Sequence, residues 1–174
     1  MPVTLILGGA RSGKSRRAET IAFTHSDHPL YIATAPLIEG DDEWSARIHH
    51  HRQQRGERWR VIEEEIAIAA VLEQQAGYGS TVLVDCLTLW LANLLQAEMD
   101  PEAEAMRLCH TLKHCEGNII LVSNEVGMGL VPESSLGRAF RDAQGRLNQA
   151  VAMVAQRVEF VAAGLPICLK GEKE

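Results

Sequence analysis

The sequence predicts an α/β domain built on a mainly parallel sheet, and two observations carry that expectation. Short apolar runs of β character alternate with longer helix-forming stretches along the whole chain, the order in which a parallel sheet collects its crossover helices. Between one such run and one such stretch lies Gly8-Gly9-Ala10-Arg11-Ser12-Gly13-Lys14-Ser15, which fills the phosphate-loop pattern G-x-x-x-x-G-K-[ST].

The elements follow in order. Val3–Leu7 reads as a strand running into the glycine-rich loop, and Lys14–Thr24 as the helix leaving it. Leu30–Ala33 is a second strand, followed by a helix over Asp42–Arg55 and another over Ile66–Gln75. Thr81–Val84 is an apolar strand that stops at a carboxylate, Asp85, ahead of a helix over Leu87–Glu98. Asp100-Pro101 is a cap followed by a first-turn proline, so a helix spans Pro101–His114. Asn118–Ser123 is a strand, Ser135–Arg157 a long helix, and Val158–Ala162 and Ile167–Lys170 are closing strands. No repeat, low-complexity tract or Pro/Gly/Ser linker divides the chain, so residues 1–174 are expected to form a single nucleotide-binding catalytic domain. With 174 residues and 46% hydrophobic content there is core enough for one domain.

Composition narrows the partners. A formal net charge of −6 argues against a general nucleic-acid binder, although Arg11, Lys14, Arg16 and Arg17 cluster at the glycine-rich loop. Cys86, Cys109, Cys115 and Cys168 are scattered without a C-x-x-C, which suits free thiols in a reducing compartment. The chain opens on a strand without a charged leader and apolar signal segment, and no apolar run reaches membrane-spanning length. The expectation is a cytoplasmic protein with no membrane span.

The glycine-rich loop has a direct chemical reading. Gly8 and Gly13 let the backbone turn so that N–H groups point at phosphate oxygens. Lys14 reaches the β- and γ-phosphates, Ser15 holds magnesium, and the helix that follows adds its positive end. A nucleoside triphosphate is therefore the expected ligand.

In a parallel sheet, ligands bind past the carboxyl ends of the strands. Asp85 stands there, either as a magnesium ligand beside Ser15 or as an ordinary turn aspartate. Ala33-Thr34-Ala35 presents small side chains that let a ligand approach the backbone, with the Thr34 hydroxyl free in principle to donate to phosphate. Asn124-Glu125-Val126-Gly127-Met128-Gly129 reads equally as a ligand-lining loop or a turn with a capping Asn. The stretch His49-His50-His51-Arg52 followed by Arg55 is either a solvated helix face or a source of a nucleophilic histidine flanked by positive charge. Consecutive helical residues diverge by about 100°, so three adjacent histidines do not converge on one metal.

Several segments together carry a resemblance. The loop Gly8–Ser15, Tyr31-Ile32-Ala33-Thr34-Ala35, and Arg47-Ile48-His49-His50-His51-Arg52 followed by Trp59 and Glu63 occur in order. After them come Val122–Glu133 (VSNEVGMGLVPE) and Arg138–Gln149 (RAFRDAQGRLNQ). Over nearly its whole length the chain resembles the bifunctional adenosylcobinamide kinase / adenosylcobinamide-phosphate guanylyltransferase family of cobalamin biosynthesis. The Asn124–Glu133 block is far more specific than the phosphate loop.

The resemblance implies a RecA-like phosphate-loop NTPase fold and two reactions. ATP or GTP phosphorylates the aminopropanol hydroxyl of adenosylcobinamide. GTP then gives GMP to a histidine, from which it passes to the cobinamide phosphate to form adenosylcobinamide-GDP. Laid on Arg47 and Ile48, the family pattern places the nucleophile at His51, with His50 as runner-up one residue away. It further implies nucleotide contacts from Gly8, Gly9, Ala10, Arg11, Ser12, Gly13, Lys14 and Ser15, and from Ala33, Thr34 and Ala35. The remaining implied contacts are Arg52, Gln53, Gln54, Arg55, Glu63 and Asp85. Because Glu63-Glu64-Glu65 is an acidic triplet, a neighbour of Glu63 is a further candidate. Lys14 is implied to be catalytic, Mg2+ to lie between Ser15 and Asp85, and the assembly to be a homotrimer. The rival readings are a phosphate-loop kinase for another small metabolite, without guanylyl transfer, and a regulatory nucleotide-binding module. Against the second, the chain has no Asn-Lys-x-Asp guanine motif.

Overall fold

The computed structural model describes residues 2–36, 56 and 58–171. Seven strands form one sheet in the order β3-β2-β4-β5-β1-β6-β7. In chain order they are β1 (Val3–Gly8), β2 (Leu30–Ala33), β3 (Arg60–Glu63), β4 (Thr81–Asp85), β5 (Asn118–Asn124), β6 (Arg157–Ala162) and β7 (Leu165–Lys170). The helices among the described residues are α1 (Lys14–His25), α2 (Ile68–Gln75), α3 (Leu87–Gln96), α4 (Pro101–His114) and α5 (Ser135–Val154). The expected helix over Asp42–Arg55 lies outside the described residues.

Strands β1 to β6 all run parallel, which brings their carboxyl ends to one edge of the sheet. Only β7 turns back, pairing antiparallel with β6. Because the sheet is covered on both faces, its central strands carry apolar residues at successive rather than alternate positions, as in Leu5-Ile6-Leu7, Val82-Leu83-Val84 and Ile119-Ile120-Leu121-Val122. Leu5, Val82, Val84, Ile119 and Leu121 point into one core, which α2 to α5 cover. Ile6, Leu83, Ile120 and Val122 point into the other, together with Ala18 and Ala22 of α1. Small alanines on that face let α1 lie close to the strands it must serve.

One strand, β3, departs from the sequence reading, which left residues 60–63 unassigned. Arg60-Val61-Ile62-Glu63 is a short edge strand whose residues are mostly exposed, so it lacks the buried apolar run that marks its neighbours. Helix α2 begins at Ile68 rather than Ile66 because the Glu64 carboxylate accepts the N–H groups of Ile66 (2.9 Å) and Ala67 (2.7 Å). The long helix α5 ends at Val154 rather than Arg157, and Arg157 is already the first residue of β6. Helix α4 has the predicted boundaries, its cap being the Asp100 side chain on the N–H groups of Glu102 and Ala103.

Among the described residues, charge is buried in one place on the α1 face. Glu159 of β6 is 1% exposed and accepts from Arg17 Nε (2.8 Å) and Nη2 (2.9 Å), and from Arg157 Nε (2.7 Å). This cluster ties the first turn of α1 to β6.

Candidate active site

The site is the row of strand ends. From one side of the sheet to the other, the residues at these ends are Glu63 (β3), Ala33 (β2), Asp85 (β4), Asn124 (β5), Gly8 (β1) and Ala162 (β6). The register aligns Ala33 with Glu63 and with Asp85, and Gly8 with Asn124. Sheet pairing thus gathers residues that stand as far apart in sequence as 8 and 124.

Gly8 to Ser15 form the turn between β1 and α1. Gly13 takes φ 94°, a left-handed conformation that favours glycine, and Arg11 shares that region at φ 56°. No side chain caps α1, so its first-turn N–H groups face the loop. Lys14 Nζ donates to the Gly9 carbonyl (3.1 Å), which holds the ammonium over the loop it would share with phosphate. The hairpin between β6 and β7 supports the loop from the side, as the Gly164 N–H donates to the Ser12 carbonyl at 2.8 Å. No local pattern signals that contact, since it depends on where the hairpin tip docks.

Gly8 itself has no room for a side chain. A Cβ there would stand 2.5 Å from Ser12 Oγ and 2.6 Å from the Val161 carbonyl oxygen, and the second of these is backbone. Gly8→Ala should therefore destabilise the fold by about 1–3 kcal/mol, the usual cost of overpacking. Thermal unfolding checks this, and a nucleotide titration should show weakened binding in the same variant.

Asp85 ends β4, and its Oδ2 accepts from the Tyr31 hydroxyl at 3.0 Å. Tyr31 is buried and packs edge-on against Trp59, with ring centroids 5.3 Å apart, while Phe23 of α1 packs on the same indole at 4.7 Å. An aromatic cluster thereby fixes the carboxylate and also anchors Trp59. The Cys86 thiol that follows Asp85 is pushed up to about 11 by burial first and by the Asp85 carboxylate second, so it stays protonated at neutral pH.

Thr34 needs a correction. Its hydroxyl was expected to be available to phosphate, but Oγ1 donates to the Cys86 carbonyl and accepts the Cys86 N–H, both at 2.8 Å, and the residue is fully buried. The Thr34 carbonyl in turn accepts from Asn93 Nδ2 (2.8 Å), which also reaches the Glu65 carbonyl (3.0 Å). One buried asparagine on α3 thus holds the loops after β2 and β3 together. Glu64 is committed to the start of α2, which leaves Glu63, at the end of its strand, as the triplet's residue in the row of strand ends.

Five expected site residues, His51, Arg52, Gln53, Gln54 and Arg55, lie outside the described residues, as does His50. The chain leaves the described part after Pro36, just past the row of strand ends, and Trp59 precedes β3.

A mainly parallel sheet with a glycine-rich loop between β1 and α1, and a carboxylate at the end of β4, defines a RecA-like phosphate-loop NTPase. Solved structures agree at the level of fold. A Pyrococcus horikoshii protein matches with TM-score 0.54 at 11% identity, covering 99% of this chain and 88% of that one. The RadB recombinase matches with TM-score 0.50 at 16% identity, covering 91% and 73%. Within that class, the model of the family described as cobinamide kinase / cobinamide phosphate guanyltransferase matches residues 4–169. The chain belongs to that family. Its relatives include the bifunctional adenosylcobalamin biosynthesis protein CobP of Pseudomonas aeruginosa, 51% identical over 172 residues and covering 97% of each chain. The bifunctional adenosylcobalamin biosynthesis protein CobU of Escherichia coli is 40% identical over 181 residues, covering 95% of this chain and 98% of its own.

Proposed function

We propose that one domain carries out both family reactions at the row of strand ends: phosphorylation of adenosylcobinamide, then transfer of GMP from GTP by way of a guanylyl-histidine. The observation that carries the reading is the phosphate loop at the strand-end edge, Gly8 in register with Asn124 and Asp85 ending the strand beyond β5, in a chain that matches the family model over residues 4–169.

In the first step the corrinoid's alcohol oxygen attacks the γ-phosphorus of ATP or GTP. The bond from phosphorus to the bridging oxygen breaks, the nucleoside diphosphate leaves, and the hydroxyl proton is lost to water. The loop N–H groups and Lys14 cradle the phosphates and meet charge as it develops. Ser15 and Asp85 supply a hydroxyl and a carboxylate, hard oxygen donors of the kind Mg2+ takes, and α1 packs against β4, which places the two elements side by side. Magnesium, when bound there, neutralises charge on the β- and γ-phosphoryl oxygens.

In the second step an imidazole nitrogen of His51 attacks the α-phosphorus of GTP and pyrophosphate leaves. A phosphate oxygen of the cobinamide phosphate then displaces the histidine from phosphorus, giving adenosylcobinamide-GDP. Neutral imidazole suits the first attack near pH 7, and as the leaving group it departs with a proton. Arg52 and Arg55 offer positive charge to the same phosphates, and Glu63 a carboxylate to the nucleotide. The reading includes a homotrimer in the cytoplasm, as the family resemblance implies; the −6 net charge argues against a nucleic-acid partner, and among the described residues no helix is long and apolar enough to cross a membrane.

Incubation with α-labelled and, separately, γ-labelled GTP plus magnesium, followed by denaturing electrophoresis, tests the covalent step. The expected result is acid-labile, alkali-stable label from the α-position alone, absent from His51→Ala. Label kept in His51→Ala but lost in His50→Ala would move the nucleophile by one residue. No label in the native protein would leave a phosphate-loop kinase without guanylyl transfer.

A further inference from the structure

We infer that the segment leaving β5, from Asn124 to Leu136, is the acceptor side of the kinase site. Asn124 Oδ1 accepts a hydrogen bond from the alcohol to be phosphorylated and orients its oxygen, the proton itself passing to water, and Met128, Leu130, Val131 and Leu136 receive the face of the corrin ring. The inference rests on the reading of the chain as a cobinamide kinase and adds the residues that meet its second substrate.

Asn124 is beside the phosphate loop by construction. It pairs in register with Gly8, and the next residue, Glu125, donates its N–H to the Gly8 carbonyl at 3.1 Å. Two helices clamp its backbone. Thr88 Oγ1 of α3 accepts the Asn124 N–H (2.8 Å), and Asn148 Nδ2 of α5 donates to the Asn124 carbonyl (3.1 Å). A buried network holds Asn148 in turn, its Oδ1 accepting from Ser123 Oγ (2.7 Å) and from Gln144 Nε2 (3.0 Å). With the backbone committed, the Asn124 side-chain oxygen is enclosed and has no partner among the described residues. An enclosed acceptor without a donor bears its whole desolvation cost, and a substrate hydroxyl delivered at the mouth of the phosphate loop removes that cost.

The arm that follows has the complementary property. Met128, Leu130, Val131 and Leu136 are 80%, 97%, 64% and 71% exposed, four large apolar side chains within nine residues. Apolar surface this concentrated marks a binding face rather than the scatter of an ordinary surface. The arm is organised from its own sequence. Arg138 Nη1 donates to the carbonyls of Pro132 (3.0 Å) and Glu133 (2.7 Å), and the Glu125 carboxylate accepts the Gly127 N–H. A corrinoid is a broad ring with methyl-bearing apolar faces inside an amide rim, and its side arm ends in the reacting alcohol. It needs an apolar face and one acceptor next to the γ-phosphate, and those are the two things this segment presents.

Steady-state phosphorylation with adenosylcobinamide and GTP each varied, in the native protein, a Leu130→Ser/Val131→Ser double variant and Asn124→Ala, tests the inference. The double variant should raise the corrinoid KM at least tenfold more than the GTP KM. Asn124→Ala should lower kcat for phosphorylation at least tenfold more than it lowers enzyme guanylylation by GTP alone. Equal changes toward both substrates would overturn the inference. So would a change in oligomeric state by light scattering in the double variant, which would make the arm a contact between copies of this chain. Absence of corrinoid-dependent turnover in the native protein would instead overturn the kinase reading itself.

Discussion

Lys14→Ala is expected to lower kcat/KM for corrinoid phosphorylation by about 10²- to 10³-fold, the loss seen when one preorganised charge stabiliser is removed from a site of developing charge. Structure and sequence agree on the reason. Lys14 opens α1, and its ammonium rests on the Gly9 carbonyl of the loop through a single 3.1 Å bond, which a phosphate oxygen can replace without moving the backbone. The same variant should unfold within about 2 °C of the native protein, because Lys14 is half-buried and makes no core contact that alanine would forfeit. Lys14→Arg should not restore the rate, since a planar guanidinium fork does not occupy the place of a compact ammonium. Measured beside guanylylation by GTP alone, the variant also sorts the two reactions. Equal losses put both on one phosphate loop, and loss of phosphorylation alone separates them.

Glu159→Ala should destabilise the fold by about 1.5–3 kcal/mol, because it removes the buried carboxylate that the Arg17 and Arg157 guanidinium groups both grip. For a chain of this size that is a fall in the thermal midpoint of about 3–12 °C. Arg17 first, then Arg157, holds the Glu159 carboxyl below its ordinary range, against the opposing effect of burial. A depressed carboxyl stabilises the fold above its unfolded pKa, about 4.3, and that contribution is lost as the pH falls through the lower folded value. The native protein should therefore lose stability more steeply below about pH 4.3 than Glu159→Gln does, as acid titrations followed by circular dichroism would show. Equal slopes would place the acid sensitivity elsewhere. Because Arg17 lies one turn beyond Lys14, Glu159→Gln should also weaken nucleotide binding by loosening the start of α1.

Much of the architecture is legible in the chain because parallel strands buried on both faces need runs of consecutive apolar residues. Thr81–Val84 and Asn118–Ser123 announce themselves in that way, and Asp100-Pro101 marks α4 by local chemistry alone. The edge strand β3 was silent for the converse reason, since a mostly exposed strand has no need of an apolar run. Thr34 misled because a hydroxyl at a strand end looks available in sequence, whereas its partner, the Cys86 backbone, lies 52 residues away. The Gly164 contact with the Ser12 carbonyl was hidden in the same way.

By itself the sequence determined the phosphate loop, the alternation of strands and helices, the carboxylate at the end of β4 and the family to which these motifs point. Each of these is set within a few residues, by backbone freedom, hydrophobic period or motif spacing. Only the tertiary structure decided that Gly8, Asp85 and Asn124 lie at one edge of the sheet, that Asn93 joins two loops, and that the Asn124 side-chain oxygen has no partner among the described residues. Those facts depend on strand order and on long-range pairing. The strands β4, β5 and β1 are neighbours in the sheet while standing far apart in the chain, and no local pattern encodes which strand lies next to which.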